Sequence, residues 1–274
     1  MNTNEERLDY LICKFKENTV YRDINVPENY NDKRRLLRSL MNVRMPAPMD
    51  KEVIRVQDEF LKKEAEEKGI VKLSEIKTIG KEGGKGKYSN IFSIWQGDIT
   101  RLEIDAIVNA ANSAMLGCFI PCHGCIDNAI HSSAGIELRN ECNKIMNEKR
   151  KLYGKDYEEE TGKAIITRGY NLPCRYVIHT VGPIVRGGLN KRLCSELEGC
   201  YKSVLKCAAE NNVKSIAFCC ISTGEFHFPN KKAAEIAVNT VRDFLDSNDF
   251  EFERIIFNVF KDEDRKIYEN IFQL

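Results

Sequence analysis

The sequence predicts an α/β fold, a mixed and mainly parallel sheet with helices on both faces, preceded by an α-helical N-terminal extension. Three observations predict it. From Ile91 onwards, short strand-like runs alternate with segments of helical period, the pattern of successive βαβ units. Residues 1 to about 70 hold only helical stripes. At 274 residues with 42% apolar side chains, the chain can build one large domain, or a domain of roughly 150–200 residues with an extension.

In the extension, Leu8, Leu11 and Phe15 share one helical face, and Leu36, Leu37, Leu40 and Met41 follow Asp32 as a second set. Pro46-Ala47-Pro48 interrupts the pattern. It resumes over 51–68, where Val53, Val56, Phe60 and Leu61 keep helical spacing and Gly69 offers a C-cap. Such a stripe is usually a packing face, so the extension is expected to lie on the main domain; a separate interaction module is the alternative. Lys81–Lys87 (KEGGKGK) lacks the Gly-Lys-Ser/Thr ending of a P-loop and reads as a flexible connection. The extension is therefore drawn as 1–87 and the main domain as 88–274. In that domain the expected strands are Ile91–Trp95, Ala106–Val108, Ala164–Arg168, Tyr176–Val181, Ser215–Cys220 and Arg254–Val259. Helices are expected at Ile126–Ala134, 137–151, Arg192–Glu210, Lys231–Asp246 and Asp262–Phe272.

The 42 basic and 41 acidic residues nearly cancel, which gives no global attraction to nucleic acid or to an anionic membrane. No apolar run approaches the roughly 20 residues of a membrane span. The start, MNTNEERLDYLICKF, is charged and helical rather than a secretory signal. A soluble, cytoplasmic protein with reduced thiols is expected. Eleven cysteines, an odd count, argue against a closed disulfide framework and for a metal-binding or catalytic cluster. Eight of them (Cys13, Cys142, Cys174, Cys194, Cys200, Cys207, Cys219 and Cys220) are scattered and read as small core hydrophobes.

The chemistry concentrates in Asn109–Gly135 (NAANSAMLGCFIPCHGCIDNAIHSSAG), just after the apolar run Ile104–Val108. Ligands of α/β sheets collect outside the carboxyl ends of strands, so a site is expected on this loop. Asn109 and Asn112 can offer donors and acceptors to ligand hydroxyls, or can simply cap a turn. Cys118, His123 and Cys125, with Cys122 among them, suit Zn²⁺, which takes thiolate sulfur and imidazole nitrogen. Three ligands with an open position is the catalytic arrangement and four closed ligands the structural one. Ser222–Phe226 follows the strand ending at Cys220, and small residues there expose backbone N–H groups that can cradle pyrophosphate. His179 ends another strand and reads as a core residue.

Taken together the motifs resemble the macrodomain, an ADP-ribose-binding three-layer α/β/α fold. The matching pieces are Gly97-Asp98-Ile99-Thr100, Asp105–Asn112, Asp127–His131, Val177–Pro183 and Ile221–Pro229. The resemblance implies that Asp98 and Ile99 hold adenine, with Phe260 a candidate for ring stacking. It implies that Ser222, Thr223, Gly224, Glu225 and Phe226 wrap the pyrophosphate and that Asn112 bonds the distal ribose. Where hydrolytic macrodomains carry a glycine run, this chain has Gly117–Asp127 (GCFIPCHGCID). That departure resembles the zinc-dependent microbial macrodomains, which also carry a helical extension. The resemblance implies Zn²⁺ on Cys118, His123 and Cys125, and leaves Cys122 out. His227 stands where the family usually has glycine, and Glu225 must point its carboxylate away from the phosphates.

A zinc ion beside the distal ribose can polarise a ribose hydroxyl or activate water, and a nearby carboxylate stabilises the oxocarbenium-like centre of glycosidic cleavage. Asp127 is the candidate carboxylate; helix capping is its alternative role. The expected function is removal of mono-ADP-ribose from modified protein side chains. Two alternatives stay open: a non-catalytic ADP-ribose reader with structural zinc completed by Cys122, and a hydrolase of a small ADP-ribose ester.

Overall fold

The computed structural model describes Met1 and residues 3–274. The first helix begins where its sequence caps it: the Thr3 hydroxyl accepts the Glu6 N–H at 3.1 Å, opening α1 (Asn4–Lys16). Asn29 and Asp50 cap α2 (Tyr30–Val43) and α3 (Lys51–Lys68) in the same way, and Gly69, at φ 81°, ends α3. These helices bury their stripes mainly against one another. Leu8, Leu11, Leu37, Val56 and Phe60 are fully buried in a core of their own, which among the described residues takes only Ile136 from beyond the three helices. Each such side chain contributes about 1.5–3 kcal/mol by burial.

The short strand β1 (Val71–Lys72) pairs with β3 (Leu102–Glu103). Ile76 and Ile79 enter the main core, so the segment after α3 packs into the main domain. The expected connection over Lys81–Lys87 starts inside a 3₁₀ turn, Gly80–Glu82. Such short turns carry no apolar period by which the sequence could announce them.

The main sheet has six strands, β2 (Phe92–Gln96), β4 (Ala106–Ala111), β5 (Ala164–Arg168), β6 (Tyr176–Val181), β7 (Ser215–Phe218) and β8 (Arg254–Val259). Their order is β2-β8-β7-β4-β6-β5; all neighbours are parallel except β5, which runs antiparallel to β6. Helices flank it in two groups, α4 (Ile126–Ala134) with α5 (Ile136–Tyr153), and α6 (Lys191–Glu210) with α7 (Asn230–Ser247) and α8 (Asp262–Phe272). This is the expected three-layer α/β/α architecture with a mixed sheet. Among the described residues no helix is long and apolar enough to cross a membrane.

Because the two cores share so little apolar surface, hydrogen bonds make the joint between them. Ile136 N–H donates to Gln57 Oε1 at 3.1 Å, and Asn171 Nδ2 to Asp58 Oδ1 at 2.8 Å. Arg139, 5% exposed, donates from Nη1 to the carbonyls of Met41, Asn42 and Arg44 at the end of α2. Its Nε donates to the Leu116 carbonyl at 2.7 Å, and the guanidinium lies 4.3 Å from the Phe119 ring centroid.

Candidate active site

Five parallel strands end on one edge, which gathers the motifs. β2 leads into Asp98, β8 into Phe260, β7 into Cys219–Phe226, β4 into Asn112 and β6 into Gly182. Phe260 is 75% exposed, free to meet a ring. Asp98 Oδ1 accepts from Thr100 N (3.0 Å) and Thr100 Oγ1 (2.7 Å), capping a 3₁₀ turn. Ile99 is buried in the core, so its side chain does not face the edge and only its backbone is available to a ligand.

The strand carrying the NAAN motif runs to Ala111, three residues further than its apolar run predicts. Asn109 is therefore inside the strand and fully buried rather than on the loop. Its Nδ2 donates to Asp127 Oδ1 at 2.8 Å and lies 3.0 Å from His179 Nδ1. Asn112, half-buried at the strand's end, donates from Nδ2 to Asp127 Oδ2 (3.3 Å) and to the Gly117 carbonyl (3.1 Å), while its Oδ1 accepts Ala114 N–H. The two asparagines thus hold one carboxylate from both oxygens. Asp127 is 5% exposed at the start of α4, and burial pushes its carboxyl up to about 6, against the Asn109 hydrogen bond and the Arg139 charge. The cap of α4 is Cys125, whose sulfur accepts Asn128 N–H at 3.4 Å, so Asp127 is not the capping residue. One turn on, His131 Nε2 lies 3.5 Å from Asp127 Oδ1. Gly117, at φ 78°, must be glycine: a Cβ there would come 2.8 Å from the His131 ring.

His131, Cys142 and His179 also offer ligand atoms within 4.8 Å of one another. His179 is engaged on both nitrogens, by Asn109 and by Thr167 Oγ1 at 2.9 Å, so this cluster reads as a buried polar knot beneath the site rather than a metal centre. Burial lowers the His179 imidazole to about 3. The unfolded chain then binds a proton between pH 6.5 and 3 that the folded chain refuses, so stability falls with pH by up to about 1.4 kcal/mol per pH unit. His179→Gln is expected to lose less stability than the wild type on going from pH 6.5 to 5, by about 2 kcal/mol in chemical denaturation. Parallel pH profiles for the two proteins would contradict the assignment.

Cys118, His123 and Cys125 are brought together, with one ligand atom from each within 4.8 Å of the others. His123 Nδ1 is buried with no partner, and Nε2 lies 3.6 Å from Glu225 Oε1. Burial, then the adjacent Cys118, push the Cys125 thiol up. Two thiols this close repel as thiolates unless a cation lies between them. The donor set fits Zn²⁺: two thiolates balance its charge, and an imidazole nitrogen with a free lone pair completes three ligands. Cys122 is turned away, at φ 51°, with its sulfur 3.3 Å from Ser39 Oγ and 3.4 Å from the Arg35 carbonyl on α2.

In the loop after β7, turn hydrogen bonds use the N–H groups of Thr223, His227 and Phe228. Among the described residues none uses the N–H of Gly224, Glu225 or Phe226. Ser222 adopts φ 65° and its hydroxyl is buried against Gly182, where a Cβ would lie 2.0 Å from it. Phe226 O accepts Val185 N–H at 2.9 Å, tying this loop to the segment after β6. Glu225 is an exposed side chain directed at His123. Sequence reasoning assigned no role to Asn128, His131 or Arg139; only the four-residue spacing of Asp127 and His131 could have signalled one of them.

A family model described as the Macro domain matches residues 108–237. Over 271 residues the chain is 47% identical to a protein-ADP-ribose hydrolase of Treponema medium, covering 99% of each chain. It resembles the solved Oceanobacillus iheyensis macrodomain with ADP, at a TM-score of 0.59 and 36% identity, over 68% of this chain and 92% of that one. The Trypanosoma brucei macrodomain in complex with ADP-ribose is similar at a TM-score of 0.62 and 29% identity, over 82% of this chain and 91% of that one. On its sequence and its fold, the chain belongs to the macro domain family.

Proposed function

We propose that this protein is a zinc-dependent hydrolase that removes mono-ADP-ribose from modified protein side chains. The observation that carries the reading is the Cys118–His123–Cys125 cluster, two residues in sequence from a carboxylate held by Asn109 and Asn112. The name of the Treponema medium relative, a protein-ADP-ribose hydrolase, supports the substrate class, as do the neighbours solved with ADP and ADP-ribose. The chain's eleven cysteines are all free, consistent with a cytoplasmic protein.

In this reading the loop 222–226 binds pyrophosphate through its unengaged N–H groups, and Phe260 covers the adenine. Asn112 orients the distal ribose while it steadies Asp127. Asp127 takes the proton from the attacking nucleophile and stabilises positive charge at the anomeric carbon. Zinc bound by Cys118, His123 and Cys125 would supply Lewis-acid polarisation. Glu225 Oε1 lies 3.6 Å from His123 Nε2, an outer carboxylate placed to orient a ligand histidine. A reader with structural zinc would need Cys122 as its fourth ligand, and that thiol faces α2.

The test is release of ADP-ribose from a mono-ADP-ribosylated protein by as-purified and chelator-stripped enzyme, with metal analysis. About one zinc per chain is expected, with activity lost on stripping and restored by Zn²⁺. Tight ADP-ribose binding without release in either sample would identify a reader instead. Release confined to small ADP-ribose esters would move the substrate to metabolites.

A further inference from the structure

One face of α2 reaches across to the metal loop. Arg35, Arg38, Ser39 and Asn42 are spaced three and four residues apart, and each meets the loop or the first turns of α4. Asn42 Oδ1 accepts Cys122 N–H at 2.9 Å, and Asn42 Nδ2 donates to Ser132 Oγ at 2.9 Å. Arg38 makes the densest set. Its Nε and Nη2 donate to Asn128 Oδ1 at 3.0 and 2.7 Å, and Nη2 also donates to the His123 carbonyl at 3.2 Å.

Asn128 is fully buried and passes this restraint on. Its Nδ2 donates to the Ile120 carbonyl at 2.9 Å, and its backbone N–H meets Cys125 sulfur at 3.4 Å. One guanidinium therefore fixes the carbonyl of one ligand residue and the asparagine that bonds the sulfur of another. The stretch from Asn112 to Cys125 contains no helix or strand to hold it. Packing of α2 within its own core does not need Arg38, because Leu37, Leu40 and Met41 bury that helix there, and Arg139 and Asn42 also tie α2 to the main domain.

We propose that Arg38 is a positioning residue for the Cys118–Cys125 loop, which makes the N-terminal helices part of the active site. The consequence for metal affinity rests on the zinc reading above; the consequence for loop order does not.

The experiment compares full-length wild type, Arg38→Ala and Arg38→Lys by three measurements. They are Zn²⁺ affinity by competition with a chromophoric chelator, amide hydrogen exchange of residues 118–125 in metal-free protein, and ADP-ribose affinity. Arg38→Ala is expected to weaken zinc binding about 10–100-fold, the usual loss for a partner outside the ligands themselves. Exchange in 118–125 should quicken about tenfold as the loop opens locally, with ADP-ribose affinity unchanged. Arg38→Lys keeps the charge without the planar fork and should fall between the two. Unchanged zinc affinity and exchange in Arg38→Ala would overturn the proposal. So would a parallel loss of ADP-ribose binding, which would mark Arg38 as a general structural residue. If Arg38→Ala does not fold, Arg38→Lys decides by the same readings. If the wild type itself takes up no zinc, the zinc reading falls and hydrogen exchange alone decides the role of Arg38.

Discussion

Asp127→Asn should lower kcat for ADP-ribose release by roughly 10²–10⁴-fold, the range for losing a positioned general base, while making the folded protein more stable at pH 8. The two effects have one cause. Asp127 is buried, and its carboxyl is raised to about 6 because burial disfavours the anion more than Asn109 and Arg139 favour it. Above pH 6 the folded state carries that cost in full, and the cost fades as pH falls through 6 towards the unfolded value near 4. Asn keeps the shape and removes the charge but sets its amide NH₂ against one of the two asparagine donors, so at pH 8 a net gain below the roughly 2–3 kcal/mol burial cost is expected. Its acid profile should also be steeper than the wild type's, because Asp127 and His179 act on stability in opposite directions between pH 6 and 4. Calorimetry and initial rates on the same preparation check both. A variant that turns over at the wild-type rate would remove Asp127 from the mechanism, and one less stable at pH 8 would show that its charge is well compensated.

Cys118→Ala should abolish release and weaken zinc binding by well over the roughly 100-fold that loss of an outer partner costs, with ADP-ribose binding retained. Cys118 is half-buried in an irregular loop, so the substitution leaves no large cavity in the core. Cys122→Ser is the matched control. That thiol faces Ser39 and the Arg35 carbonyl, and a hydroxyl can take its place with zinc content and turnover preserved. Metal analysis and release assays on the pair separate a ligand from a bystander three residues in sequence from Cys125. Equal zinc content in the two variants would refute the ligand set.

What the sequence determined by itself was whatever depends on neighbours along the chain. Helix α3 carries its own apolar period and caps, and its observed limits, Lys51–Lys68, are those its pattern predicts. The proposed ligands Cys118, His123 and Cys125 span eight residues of one loop, so local spacing was enough to mark a metal-capable cluster there, while only the family resemblance set Cys122 apart. The extra length of β4 was hidden because Asn109 breaks an apolar run, and a buried asparagine is acceptable only once Asp127 and His179 arrive from elsewhere in the fold. Ile76 and Ile79 looked like part of an extension until the sheet offered them a core. Arg38 gave no signal at all. Its partners His123 and Asn128 lie 85 and 90 residues away, and no periodicity reports a contact of that separation. Only the tertiary structure decided those contacts, because a buried polar group is placed by the partner that satisfies it, and here the partners come together only through packing of the two cores.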